Sequence, residues 1–429
     1  MSADFEDAAP DLDTDSQCSQ SDSSTVIYDH EPFEIFKARV LKLAQTVLNP
    51  ANGEISIERM HGGGFNRIIG VSVTSDNGPA TGQYVLRVSR FEAASLERDL
   101  APLQLLRQQS EIHVPDVVAF DTTTRNALEN PYMIQRRIPG SSLFPNYPNL
   151  PHDMKCAIAT ELGKVYSEMH SIKSVTAGRL TLSPSQESLM IQPFGDTSTD
   201  LLVPYENGPA AKTTSELLCL LLTCWKEQAA AEGPNQSVRI SFFDQFLTTA
   251  SEMNALGILN EDSYCLCHLD LEPRNILVMP PSSNQPQAIT GILDWDSAIF
   301  APPFMSCSPP MWLWAWNDDD EDERLADNAP STPEFAELKH SFEEAAGPTY
   351  HRFAYGAQYR LARKLFKFAL DGLQTNEDMM DAESLLTEWA QVQQSFETGK
   401  SGHSGASHQL FHNKLVARDS TTRSEEDAI

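Results

Sequence analysis

Three stretches early in the chain, EISIER, RIIGVSVT and QYVLRVS, alternate β-branched or aromatic residues with polar ones and are separated by Gly-containing turns. A period of two sends successive side chains to opposite faces, so the pattern predicts three consecutive strands. The period then lengthens. From Glu92 to Gln109, Leu96, Leu100, Leu103 and Leu106 recur at helical spacing, which predicts a helix. Val117 to Asp121 and Tyr132 to Arg136 read as two further strands.

After IPGSSL the texture turns helical, with candidate helices from His152 to Ile172, Thr213 to Ala231, Ile240 to Leu256, Pro348 to Gly372 and Asn376 to Phe396. One β segment interrupts them: NILVM, a Pro and Ser turn, then AITGILDW, which predicts a hairpin set among helices. This order predicts an α+β fold, with a small β-rich lobe over residues 32–138 and a larger helical lobe over 139–396. Residues 1–31 are rich in Asp and Ser, and residues 397–429 in Ser, Gly, His and Thr. Neither composition buries enough apolar surface to offset chain entropy, so both are expected to be disordered tails.

Composition narrows the partners. The net charge of -29 opposes a phosphate backbone or an anionic membrane surface, both of which call for clustered Lys and Arg. The surplus is uneven: residues 1–36 hold ten acidic residues and no Lys or Arg, and Asp318, Asp319, Asp320, Glu321, Asp322 and Glu323 form a second block. The odd count of seven cysteines, with no C-x-x-C pair, fits neither a disulfide framework nor a zinc site and suits a reducing compartment. Cys265 and Cys267 read as core residues of a buried strand. The N-terminus lacks the pattern of a signal peptide, and the best apolar run, Leu217 to Trp225, is too short to span a bilayer. A soluble cytoplasmic protein with no nucleic-acid or membrane partner is expected.

The chemistry begins at His268-Leu269-Asp270-Leu271-Glu272-Pro273-Arg274-Asn275, which matches the kinase catalytic-loop pattern H-x-D-L-x-x-x-N at each fixed position. An Asp on a rigid loop accepts a hydroxyl proton during phosphoryl transfer, and an Asn five residues on reaches the metal that neutralises the phosphates. His268 and Asp270 are therefore the catalytic candidates, Asp270 as base, and Asn275 a metal ligand. Asp294-Trp295-Asp296 follows at a strand end, 19 residues after Asn275, where a kinase places its second metal-binding Asp. Asp294 is the second metal candidate.

Together HLDLEPRNILV and ITGILDWDSAIFAPP resemble the paired signature of the aminoglycoside phosphotransferase family and of related choline-kinase-like enzymes, which carry D-W-acid where protein kinases carry D-F-G. The resemblance continues upstream through HGGGFN, YVLRV, YMIQ with Pro139-Gly140, and KVYSEMH, and covers about residues 32–396 in the family's order. It implies a bilobal protein-kinase-like fold, a transferase that uses ATP and Mg2+, and a small-molecule hydroxyl acceptor.

The remaining candidates follow from that frame. In HGGGFN, glycines between two strands let backbone N–H groups approach phosphates, so Gly62, Gly63, Gly64 and Asn66 are nucleotide candidates; taken alone the tract also fits a hairpin turn. Arg87 stands where a kinase has its phosphate-pairing Lys, and Glu97, in the following helix, stands where the ion-pair partner is expected. His170 reads as a packed, hydrogen-bonded histidine rather than a catalytic one. Trp312, Trp314 and Trp316 fit either a core or a substrate wall. The acidic block after them fits either a solvated loop or a site for an amine-bearing acceptor.

No D-F-G or A-P-E element follows the loop, which disfavours a protein kinase. The reading from another class is a nucleotide-binding pseudoenzyme or scaffold, favoured by Arg87 and the atypical glycine loop and opposed by Asp270, Asn275 and Asp294 occurring together. Removal of residues 1–29 and 400–429 is expected to leave the thermal transition essentially unchanged in calorimetry. Loss of folding in the shortened chain would show that a tail docks on the core.

Overall fold

The computed structural model describes residues 31–49, 53–60, 66–75, 82–89, 94–183, 188–194, 211–261, 263–279, 287–316 and 322–401. The tail expectations for residues 1–30 and 402–429, the glycines Gly62, Gly63 and Gly64, and the acids Asp318, Asp319, Asp320 and Glu321 lie outside the described residues.

The chain forms two compact units, the first made of Met1–Pro151, Leu180–Met190 and Asp270–Ala298, the second of His152–Arg179, Ile191–Leu269 and Ile299–Ile429. The first opens with α1 (Phe33–Leu48), a helix absent from the sequence reading. Its signal was present: Phe36, Val40, Leu43 and Ala44 recur at helical spacing and are all buried. They pack on a sheet of β1 (Gly53–Arg59), β2 (Asn66–Ser75) and β3 (Gly82–Ser89), followed in sequence by α2 (Ala94–Gln109), β4 (Val117–Asp121) and β5 (Tyr132–Arg136). The strand order is β1-β2-β3-β5-β4, antiparallel throughout. Ile69, Val71, Leu86 and Val88 join the cluster under α1. Arg87, between Leu86 and Val88, points to the opposite face.

Shorter strands follow in this unit. β6 (Ser141–Ser142) is the first. The chain then contributes α3 (His152–Ser171), β7 (Lys173–Ser174), β8 (Gly178–Leu182), β9 (Leu189–Pro193), α4 (Thr214–Glu232), α5 (Ser237–Ala255) and β10 (Tyr264–Cys267) before it reaches β11 (Ile276–Val278) and β12 (Ile289–Ile292). β11 pairs antiparallel with both β12 and β6. The catalytic-loop segment was expected in the helical lobe, but it clusters with the β-rich unit. Main-chain bonds account for this: Leu143 N–H donates to Ile276 O at 2.8 Å and Ile292 N–H to His113 O at 2.8 Å.

In the second unit β10 pairs antiparallel with β7 and with β13 (Ile299–Ala301), and β13 with β8 at Gly178 and Arg179. Cys265 and Cys267 are buried there, as expected of core residues. The remaining helices are α6 (Pro333–Ala354), α7 (Ala357–Asp371) and α8 (Asn376–Ser401). The single helix expected from Pro348 to Gly372 is two. α6 begins earlier, where Thr332 caps the N–H of Phe335, and kinks at Gly347, whose φ of 80° and ψ of -173° precede Pro348. α8 extends to Ser401, beyond the Phe396 boundary. Trp312 and Trp314 are buried, with Trp314 against Phe342, so they serve the core.

α3 and α6 approach closely because Gly163 has no side chain: a Cβ there would lie 2.4 Å from Phe342 O. Gly163→Ala is therefore expected to cost about 1–3 kcal/mol through overpacking. In urea the midpoint should fall with the slope unchanged, and an unmoved midpoint would show that the two helices slide apart freely.

Candidate active site

The catalytic-loop motif closes on itself through short-range hydrogen bonds. Asp270 O accepts the N–H of Glu272 at 3.0 Å, and Glu272 O accepts the N–H of Asn275 at 2.9 Å. Leu269 before them has a φ of 63°, and a 3-10 turn over Pro273–Asn275 follows. This compact path returns Asn275 beside Asp270, so the Asn275 Nδ2 donates to Asp270 O and to Asp270 Oδ2, both at 2.9 Å. The spacing of the motif is thus the length of one closed loop. Arg274 pairs with the remaining carboxylate oxygen, Oδ1. His268 is buried at the end of β10.

The same asparagine ties the loop to the D-W-D turn, since Asn275 O accepts the N–H of Leu293 at 2.8 Å. Asp294 itself is left-handed, with φ 64° and ψ 55°, a conformation uncommon outside glycine and tolerated by Asp. Trp295 holds the turn: it is 1% exposed, and its indole N–H donates to Ile292 O at 3.1 Å. Helix α2 packs against this turn.

Arg87 joins strand, helix and turn. Its Nη2 lies 3.0 Å from Asp99 Oδ2 on α2 and 3.2 Å from Asp294 Oδ1. The partner on the helix is therefore Asp99, not Glu97. The helical wheel explains the correction: Asp99 lies three residues after Leu96 and four before Leu103, on the buried face, whereas Glu97 falls off that face and is half-buried. An acid on an apolar stripe was the readable signal.

Burial works to lower the Arg87 pKa, but Asp99, Asp294 and Asp296 outweigh it and hold it above its ordinary value. Burial pushes the Asp99 carboxyl up to about 7 against the pull of Arg87. Burial, then the charge of Asp294, pushes Asp296 up to about 6. One oxygen each from Asp99, Asp294 and Asp296 lie within 4.8 Å of one another. Asp99 Oδ1 and Arg87 Nε are buried without a hydrogen-bond partner among the described residues. The structure therefore brings Asp270, Asn275, Asp294 and Arg87 into one connected set. Asp99, Asp296 and Arg274 complete that set, although the sequence did not single them out as site residues. Asn66 is buried at the start of β2, opposite Ser89, apart from this set.

The sequence model of the phosphotransferase enzyme family matches residues 71–339, more than half of the chain. The chain belongs to this family. A curated relative, altered inheritance of mitochondria protein 9 of Meyerozyma guilliermondii, is 26% identical over 147 residues, which are 32% of this chain and 23% of that protein. The match thus spans about a quarter of that relative's length. Among solved structures, the GDP complex of aminoglycoside 2'-phosphotransferase-IIIa aligns with 83% of this chain and 99% of its own, at 18% identity and a TM-score of 0.45. The ternary complex of a thermostable mutant of aminoglycoside phosphotransferase APH(4)-Ia with AMP-PNP and hygromycin B aligns with 83% and 98%, at 16% identity and a TM-score of 0.43.

Elsewhere in the chain, His170 is the packed histidine that was expected. Its Nε2 lies 2.7 Å from Ser306 Oγ, and burial pushes its pKa down to about 4. No described helix is long and apolar enough to cross a membrane.

Arg87→Met would leave Asp99 buried without its counter-charge and is expected to destabilise the protein by about 3–5 kcal/mol. Pairing that change with Asp99→Leu should restore most of the loss. A double-mutant cycle by urea denaturation measures the coupling, and additive losses would show that the bridge is not a unit.

Proposed function

We propose that this phosphotransferase moves the γ-phosphoryl group of ATP to a hydroxyl of a small molecule, with Mg2+ as cofactor. The observation that carries the reading is the fixed carboxylate of Asp270, held by Asn275, whose main chain in turn holds the residue before Asp294. Asp270 orients the acceptor hydroxyl and takes its proton as the oxygen attacks phosphorus. Asn275 spends its Nδ2 on Asp270, which leaves its Oδ1 for a cation, and Asp294 offers a carboxylate. Amide and carboxylate oxygens are the hard donors that suit Mg2+. Bound there, the ion would neutralise charge on the phosphates. His268 is proposed as the second catalytic residue of the motif, with Gly62, Gly63, Gly64 and Asn66 at the nucleotide.

Arg87 enters this reading differently from a strand lysine. Its Nη2 is committed to Asp99 and Asp294, so its first task is to hold Asp294 in place, and any phosphate contact falls to its other nitrogens. That commitment is also what favours the second reading, a pseudoenzyme that binds nucleotide without turnover. For the acceptor, an amine-bearing compound is supported by the chain's negative charge. The end of the acidic block has other partners: Asp322 binds Arg324, and Glu323 pairs with the buried Arg363. A cationic acceptor site there would therefore rest on Asp318, Asp319 and Asp320. A cytoplasmic location is supported by free thiols, Cys219 and Cys224 among them.

Calorimetry should find ATP binding that strengthens with Mg2+. On an acceptor found by screening hydroxyl metabolites for ATP consumption, Asp270→Asn should lower turnover about 10²- to 10⁴-fold and leave nucleotide affinity nearly intact. Equal turnover in that variant would sink the assignment of the base. Nucleotide binding with no consumption on any acceptor would favour the pseudoenzyme.

A further inference from the structure

A second group of ligating side chains lies in the second unit. His152 and Cys156 sit four residues apart at the start of α3, which places them on one face of the helix. Glu337 is in the first turns of α6. His152 Nε2 is 2.9 Å from Glu337 Oε2 and 3.5 Å from Cys156 Sγ, and one ligand atom from each residue lies within 4.8 Å of the others.

We propose that His152, Cys156 and Glu337 bind a divalent transition-metal ion of the zinc class, joining the first turns of α3 and α6. The separations fit the chemistry. Zinc bonds of about 2.0 Å to nitrogen and 2.3 Å to sulfur put those two atoms roughly 3.5 Å apart across a tetrahedral angle. That equals the Nε2 to Sγ distance found here. The carboxylate needs to open by a few tenths of an ångström, which the exposed Glu337 side chain allows.

The local field favours a cation. Glu337 pairs with His152, and Asp153 and Glu334 lie in the first turns of the same two helices. These carboxylates attract a divalent ion, and the thiol proton displaced on binding would go to solvent. Three protein ligands leave a fourth position for water. A thiolate and an imidazole select a softer metal than the oxygen donors around Asp294, so this site and a magnesium site would not compete for one ion.

Cobalt(II) added to the full chain in excess Mg2+ should give a thiolate-to-metal charge-transfer band that saturates at one equivalent. Cys156→Ser should abolish the band. His152→Gln and Glu337→Gln should each weaken cobalt affinity at least about tenfold. Zinc should raise the Tm of the wild type and leave that of Cys156→Ser unmoved, while the metal-free Tm of each variant reports whether it still folds. A band of full strength in Cys156→Ser would assign the metal to another cysteine and overturn the proposal. The same holds if excess cobalt gives no band in the wild type.

Discussion

A buried positive charge organises the first unit. The Arg87 guanidinium is almost without solvent, and burial of that kind is tolerable only when counter-charges and hydrogen bonds replace the lost water. The replacements come from two places: Asp99, from helix α2, and Asp294, from the turn after β12. One nitrogen therefore fixes how the helix lies against the turn and where the candidate metal carboxylate points. The left-handed backbone of Asp294 is tolerated in this setting because Trp295 anchors one side of the turn and Arg87 the other.

Most of the elements could be read from periodicity, because period two and period 3.6 are visible whenever one face is buried. The strands of the first sheet and helices α2, α3, α4 and α8 lie where alternation or leucine spacing put them. What escaped has particular causes. α1 follows a strongly acidic stretch that masked its four buried positions. Before its kink α6 carries Glu334, Glu337, Lys339, Glu343 and Glu344 between its apolar positions, and its break depends on the single conformation of Gly347. In the site, the Asp270-to-Asn275 loop was legible because its spacing is local geometry. The choice of Asp99 over Glu97 was a question of helix phase, and choosing the nearest expected acid ignored it.

The motif and the bridge are linked by one residue used twice. Asn275 gives its side-chain amide to Asp270 and its carbonyl to the N–H of Leu293, the residue before Asp294. Its identity and its main-chain position therefore serve different neighbours, which explains how a short signature can mark a whole site. Function still resides in the site rather than in the fold, and the acceptor is decided by surfaces that vary among proteins of one architecture.

The discontinuity of the first unit has a consequence for how the protein is made. Arg87 leaves the ribosome with Asp99 close behind it, but Asp294 is separated from it by 207 positions. At about 5–20 residues per second, the nascent sheet waits tens of seconds or less for the segment that completes it. Throughout that interval the arginine has one counter-charge instead of two, and β6 lacks the strand that it will pair with. A message cut short within that window would yield the first sheet without the Asp270-to-Asn275 loop that clusters with it.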